Sequence, residues 1–355
     1  MSRLKNKRVW TLLFFSLSLL AVSLACSAAE SLINGTPTPM PSPTMTLIPT
    51  ETPAPTVTPI PTLDWTPVAC AGDECLEACL SRVDAIMQTS PFKTLTNDFY
   101  KDSANFDLVT YPVDGDQLGA PDKLWTPADY HVYQDDVASH QRIWDFFTAV
   151  IPLETRSMVD NFMIYTDGPE NKLAWVRPSA DRGETWTIGF DILDSEVPLY
   201  LTETLVHEVG HLVTLNAEQV PITDAFYNGE QNSAICKQYL LYEGCSTEGS
   251  YINHFYQRFW PGIYKEWQQI DKARDSDEYY TMIGNFYRRH PFEFVSAYAV
   301  TNPNEDIAES WKDFVLLPKP TGDDVSDQKV LFFYDFPELV KIRQEIIAGL
   351  CSYTH

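Results

Sequence analysis

Basic side chains are scarce in this chain of 355 residues, which has 25 Lys and Arg against 49 Asp and Glu and a net charge of −24. Four of the basic residues lie within the first eight positions, and no acidic residue precedes Glu30. A chain cut near residue 26 therefore carries 21 basic and 49 acidic side chains, a net charge of −28. Such a surface repels phosphate backbones and anionic lipid headgroups, which argues against nucleic-acid binding.

Several catalytic motifs are also missing. The chain has no G-x-S-x-G elbow, no phosphate-binding loop, no dinucleotide fingerprint and no C-x-x-C pair, which argues against the enzyme classes that use them. It is not poor in apolar residues, however, since 44% are hydrophobic and 13% aromatic. That content excludes a wholly disordered protein, and the length suits one large or two ordinary domains.

The first 25 residues have the features of an export signal. A basic stretch is followed by an apolar run over 9–24 and then by small residues, and the run is short for a transmembrane helix. Leu24, Ala25 and Cys26 resemble the lipobox of bacterial lipoproteins, which implies lipidation of Cys26. Ser27, Ala28 and Ala29 instead suit ordinary signal peptidase. We favour the lipoprotein and expect an exported protein that meets the membrane only through its lipid.

A Pro/Thr repeat follows the signal. Residues 35–67 contain 10 prolines and 10 threonines, and such a segment favours extended polyproline II structure without a core. We interpret 26–67 as a flexible linker behind the lipid anchor, and 68–355 as the folded domain.

Six cysteines remain beyond Cys26, and an even number in an exported chain predicts disulfides. Cys236 and Cys245 enclose eight residues and are expected to pair with each other. Cys70, Cys75, Cys79 and Cys351 would then join the two ends of the domain. A zinc knot formed by Cys70, Cys75 and Cys79 is the alternative.

Hydrophobic periodicity predicts an α+β domain with a small sheet in its N-terminal half and helices in its C-terminal half. The predicted strands cover 162–166, 173–176 and 185–193. The predicted helices cover 134–150, 199–215, 251–270, 277–289, Pro303–Leu316 and 337–350.

The sequence His207-Glu208-Val209-Gly210-His211 is an HExxH motif. On a helix, positions i and i+4 share a face, so both imidazoles can reach one metal ion. Glu208 is then placed to take a proton from a metal-bound water. Gly210 is unfavourable inside a helix by about 1 kcal/mol, which predicts a close backbone approach at this point. We therefore expect His207 and His211 to bind zinc.

A catalytic zinc needs a third protein ligand. Asn302 and Pro303 have the features of a helix start, which places Glu305 and Glu309 one turn apart on one face. Read singly, Glu305 could complete a capping box, Glu309 could be a surface charge and Tyr298 a core aromatic residue.

Together these residues resemble the catalytic domain of the anthrax-toxin lethal-factor type, a zinc peptidase of the gluzincin branch. The resemblance covers the HExxH helix and about 14 residues around Glu305. It implies a zincin-like fold and Zn²⁺ held by His207, His211 and Glu305. It also implies that Glu309 supports a zinc-binding histidine and that Tyr298 faces the reacting carbonyl.

The spacing departs from that family, because Glu305 lies 94 residues after His211, a longer interval than we expect. We interpret 212–290 as a helical insertion that walls one side of the cleft. Glu218, Glu243 and Glu248 are weaker candidates for the third ligand.

Residues 185–191 form either the edge strand that aligns an extended peptide or a plain core strand. The other histidines are expected to be structural or exposed; they are His131, His140, His254, His290 and His355.

These patterns predict an exported, lipid-anchored and monomeric zinc peptidase that acts on peptides or proteins. One alternative is a tethered binding module that keeps the zincin scaffold without catalysis. Another is a metal-dependent hydrolase of a non-peptide bond.

Overall fold

The computed structural model describes residues 69–89, 105–168, 172–179, 184–196, 198–222, 236–241 and 244–353. The predicted signal peptide, the lipidation site at Cys26 and the Pro/Thr linker lie outside these residues. Within them, no helix is both long and apolar enough to cross a membrane.

A small mixed sheet forms the N-terminal half of the domain. The strands are β1 (Phe106–Asp114), β2 (Gln117–Leu118), β3 (Asp122–Lys123), β4 (Val159–Thr166), β5 (Ala174–Pro178) and β6 (Trp186–Asp191). Their order is β2-β1-β4-β6-β5, and β3 also pairs with β1. Only β4 and β6 run parallel among these pairs. The predicted α+β class with a small sheet is therefore confirmed.

The predicted strands all occur. Of the two alternatives for 185–191, the plain core strand is confirmed and the edge strand is wrong. β6 lies between β4 and β5, and all six of its residues are buried. Within the described residues, the free edge on this side of the sheet belongs to β5.

Helices make up most of the rest of the domain. They are α1 (Asp73–Thr89), α2 (His131–Gln134), α3 (Val137–Val150), α4 (Leu153–Arg156), α5 (Pro198–Leu215), α6 (Tyr251–Phe259), α7 (Tyr264–Asp271), α8 (Tyr279–Arg289), α9 (Pro303–Leu316), α10 (Val325–Phe332) and α11 (Pro337–Ser352). The helix predicted over 251–270 is in fact two, α6 and α7. Pro261 has no N–H to continue the helical hydrogen bonds, so α6 ends at Phe259 with Trp260 as its C-cap.

Aromatic side chains fill the space between the sheet and α3. The Trp144 ring lies 5.3 Å from that of Phe162 on β4, and the Phe147 ring lies 6.4 Å from that of Phe190 on β6, centroid to centroid. All four side chains are fully buried. This packing fixes α3 against β4 and β6.

The two helices α5 and α9 pack closely together. A Cβ atom added at Gly210 of α5 would lie 2.9 Å from Cδ1 of Trp311 and 3.2 Å from Cα of Ala308, both on α9. A side chain larger than hydrogen would force the helices apart or displace the Trp311 ring. This contact confirms the close approach expected at Gly210.

A buried ion pair joins α9 to α10. Lys329 and Asp306 have no exposed side-chain surface, and Lys329 Nζ lies 2.7 Å from Asp306 Oδ2. Trp260 Nε1 donates a hydrogen bond to the same oxygen at 2.8 Å. Burial raises the pKa of Asp306 to about 6, against the opposing effect of the Lys329 charge.

Three disulfides cross-link the described part of the domain. Cys79 of α1 bonds to Cys351 of α11, Cys70 bonds to Cys75, and Cys236 bonds to Cys245. The predicted Cys236–Cys245 pair is confirmed. Cys79–Cys351 provides the predicted link between the ends of the domain, but Cys70 and Cys75 take no part in that link because they bond to each other. The alternative zinc knot is wrong because its three sulfurs are all engaged in disulfides. These bonds fit an oxidising, exported environment.

Candidate metal centre

Helix α5 carries the HExxH motif at its centre. It spans Pro198–Leu215, close to the predicted 199–215. The apolar residues around the motif are buried; they are Leu205, Val206, Val209, Leu212 and Val213. His207 and His211 are themselves only 7% and 9% exposed. The core therefore holds this helix in one orientation, and both imidazoles are fixed with it.

Helix α9 supplies the acidic residues. It begins at Pro303, as predicted, because the Asn302 side-chain oxygen accepts hydrogen bonds from the N–H groups of Asn304 and Glu305, at 2.9 and 3.1 Å. This cap fixes the first turn, on which Glu305 is the third residue. Glu309 lies one turn further on, and both carboxylates are buried.

The Glu305 carboxylate meets both histidines. Its Oε2 lies 3.2 Å from Nε2 of His207 and 3.3 Å from Nε2 of His211. The possible ligand atoms of the three residues all lie within 4.8 Å of one another. In a tetrahedral site with metal–ligand distances of about 2.0–2.2 Å, ligand atoms are about 3.3–3.6 Å apart. The two nitrogen–oxygen distances are close to this separation, so the three residues fit the ligand set that the resemblance implies.

Glu309 binds the other side of His207. Its Oε1 lies 2.8 Å from His207 Nδ1, where a carboxylate accepts the ring N–H and leaves Nε2 to face Glu305. Glu309 therefore contacts a candidate histidine ligand, as the resemblance implies. His211 differs, because its buried Nδ1 has no hydrogen-bond partner within the described residues.

The charged groups in this cluster shift one another's pKa values. Burial lowers the pKa of His207, but its contacts with Glu305 and Glu309 raise it to about 10. Burial raises the pKa of Glu305, yet the two histidines hold it well below its usual range. Burial also raises the pKa of Glu309, while His207 and Lys312 bring it down to about 2. The metal-free cluster therefore holds a proton strongly, and a metal ion must compete with that proton.

Glu208 lies next to the first histidine on α5 and is 6% exposed. Burial raises the pKa of its carboxyl group, and the charges of His207 and His211 oppose this. A carboxyl group with a raised pKa beside a metal site is suited to accept and return a proton near neutral pH.

Tyr298 lies beside the same histidine. Its ring centroid is 5.8 Å from that of His207, and the residue is partly buried. It immediately precedes a short 3₁₀ helix, Ala299–Thr301, that leads into α9. The structure therefore brings together all the predicted residues: His207, Glu208, His211, Tyr298, Glu305 and Glu309.

The weaker candidates stay outside this cluster. Glu218 and Glu248 are exposed, and neither belongs to a group of possible metal ligands among the described residues; Glu243 lies outside those residues. Two histidines have structural partners, since His140 contacts the Tyr111 hydroxyl and His290 contacts Glu293, both at 2.8 Å. His131 and His254 belong to no such group, and His355 is not described.

Sequence reasoning missed two contacts of Glu309. Lys312 Nζ lies 2.9 Å from its Oε2, and the Ser296 side chain also bonds to this carboxylate. The i+3 spacing of Glu309 and Lys312 on one helix is a signal that could have revealed the first. No local signal points to Ser296.

The chain as a whole matches no protein-family model, no curated protein and no solved structure.

Proposed function

We propose that the protein is a zinc-dependent peptidase with a zincin-like fold, similar to the lethal-factor type of catalytic domain. The observation that carries this proposal is the convergence of the His207, His211 and Glu305 side chains from two helices at the separation of zinc ligands. Zinc held there would supply a Lewis acid and lower the pKa of a bound water towards neutrality.

The chain's own residues have distinct roles in this proposal. Glu208 accepts the proton of the attacking water and returns it to the leaving amine. The Tyr298 hydroxyl donates a hydrogen bond to the oxygen that gains negative charge. Glu309 fixes the tautomer and orientation of His207.

The edge of the sheet beside α5 supports a peptide as the substrate. Within the described residues, β5 pairs with β6 alone, and it also contacts α5. The outer backbone groups of an edge strand can pair with an extended peptide. We therefore place the substrate along β5.

The experiment compares wild-type protein with Glu208→Gln, which removes the base but keeps the shape. Both proteins should bind one zinc ion, whereas the variant should hydrolyse a fluorogenic peptide library about 10²–10⁴-fold more slowly. Glu218→Gln, at an exposed glutamate, is the matched control and should keep full activity. Absence of stoichiometric zinc, or full activity of Glu208→Gln, contradicts the proposal. Zinc binding by the wild-type protein without turnover favours a catalytically silent binding module instead.

We also propose that the domain is exported and held at the cell surface by lipidated Cys26 behind the Pro/Thr linker. The three disulfides support an exported location. Cys26→Ser should abolish incorporation of labelled fatty acid and move the protein from the detergent phase to the aqueous phase. An unchanged distribution contradicts the anchor.

A further inference from the structure

Lys312 extends the chain of contacts that reaches the metal centre. It lies on α9, one turn after Glu309, and its side chain is 20% exposed. Its Nζ contacts Oε2 of Glu309 at 2.9 Å, while Oε1 of the same carboxylate contacts Nδ1 of His207 at 2.8 Å. Each oxygen of Glu309 thus contacts a different charged or ring partner, and the Ser296 side chain also bonds to this carboxylate. His207, at one end of this chain of contacts, is one of the three candidate ligands.

The Glu309 carboxylate depends on these partners because its side chain is only 7% exposed. A buried carboxylate oxygen that loses a charged partner is strongly disfavoured. Such a carboxylate relieves the loss by rotating out of its present position, which weakens its hold on the His207 N–H.

The charges around Lys312 keep it in place as a cation. Burial lowers its pKa, but Glu309, Asp313 and Glu203 raise it above the usual value. Glu203 lies on α5, one turn before His207, so both helices contribute acidic groups. Among these acids, Glu309 is the one at hydrogen-bond distance from Lys312 in the described residues.

We propose that Lys312 is a positioning residue of the metal centre, which sets zinc affinity by holding Glu309 against His207. This inference rests on the zinc site of the proposed function. The inference predicts the direction in which zinc affinity changes when Lys312 is removed. A cation near a metal ion also repels that ion. If Lys312 acted by charge alone, its removal would tighten zinc binding, whereas a positioning role requires its removal to weaken binding.

The test measures zinc affinity by competition with a chromophoric chelator, without reference to hydrolysis. Lys312→Met should weaken zinc binding about tenfold, as is typical for partners of metal ligands. Lys312→Arg should restore most of the affinity because it keeps the charge and the donor. Lys341→Met is the matched control, since Lys341 is an exposed lysine on α11 that pairs only with the surface residues Glu154 and Glu345 among the described residues. It should bind zinc like the wild-type protein.

A double-mutant cycle shows whether Lys312 affects zinc affinity through Glu309. In a Glu309→Gln background, Lys312→Met should cause no further loss of affinity, because the carboxylate through which it acts is gone. Unfolding in the presence of a chelator reports any loss of fold, and Lys312→Gln, also expected to weaken binding, is used if the methionine variant does not fold.

Unchanged or tighter zinc binding by Lys312→Met overturns the inference, as does an equal loss in the Glu309→Gln background. A wild-type protein that binds zinc but cleaves no peptide refutes the proposed peptidase and leaves this role intact. A wild-type protein that binds no zinc refutes both.

Discussion

Replacement of Gly210 by alanine adds one methyl group between α5 and α9, the two helices that carry the candidate metal ligands. The new Cβ would lie 2.9 Å from Cδ1 of Trp311, about 0.5 Å short of ordinary van der Waals contact. The neighbouring Cα of Ala308 at 3.2 Å belongs to the backbone and cannot rotate away. The helices must therefore separate or the Trp311 ring must move.

The effect on stability is the difference between two opposing contributions. Alanine is favoured over glycine inside a helix by about 1 kcal/mol. Overpacking of a close contact costs about 1–3 kcal/mol. We therefore expect Gly210→Ala to lower the free energy of unfolding by about 0–2 kcal/mol, a modest loss that leaves the protein folded.

The substitution should also weaken zinc binding. Glu305 lies across the α5–α9 contact from both histidines, so a shift of about 0.5 Å between the helices reaches the limit that a metal site tolerates. We expect zinc affinity to fall about tenfold, which corresponds to about 1.4 kcal/mol.

Both quantities can be measured on the same samples, by denaturant unfolding in chelator and by competition for zinc. Gly262→Ala is the matched control, because a Cβ at Gly262 has no neighbour within 4 Å. It should alter neither quantity. If Gly210→Ala binds zinc as tightly as the wild-type protein, the contact between α5 and α9 does not set the separation of the ligands.

Three further outcomes are expected. The pKa of His207 is raised to about 10 without metal, so its contribution to stability is complete below about pH 6.5 and is lost as the pH rises towards 10. Denaturant unfolding in chelator at pH 7 and pH 10 measures this loss. Equal stabilities at the two pH values would contradict it. Lys329→Met leaves Asp306 without its buried partner and should cost about 3–5 kcal/mol. Because the pKa of Asp306 is already about 6, the cost should be smaller at pH 5 than at pH 8, and a pH-independent cost would refute this explanation. Asn302→Ala should destabilise the protein by about 1 kcal/mol through loss of the α9 cap, whereas Asn302→Ser should not; denaturant unfolding distinguishes them.

The parts of the fold that local chemistry determines were predictable from the sequence. Helix α9 spans Pro303–Leu316, as predicted, because Asn302 caps it and Pro303 suits the first turn. The Cys236–Cys245 disulfide was predictable because the cysteines are close in sequence. The HExxH spacing likewise placed two imidazoles on one face of α5.

The parts of the fold and of the candidate site that depend on contacts between distant residues were not predictable from the sequence. Strand β1 was missed, and its Pro112 interrupts the pattern of a strand although β4 pairs with it there. The position of β6 inside the sheet depends on its pairing with β4 and β5, which its own residues do not reveal. The contacts of Ser296 and Lys312 with Glu309 likewise required the folded arrangement of α9.

The Cys79–Cys351 bond closes most of the folded domain into a covalent ring of chain. A single backbone cut anywhere between these residues leaves the two fragments joined. A protease that nicks a surface loop therefore cannot release half of the domain unless the disulfide is also reduced. If the protein cleaves itself or is cut by another protease, both fragments migrate together on a gel until a reductant is added.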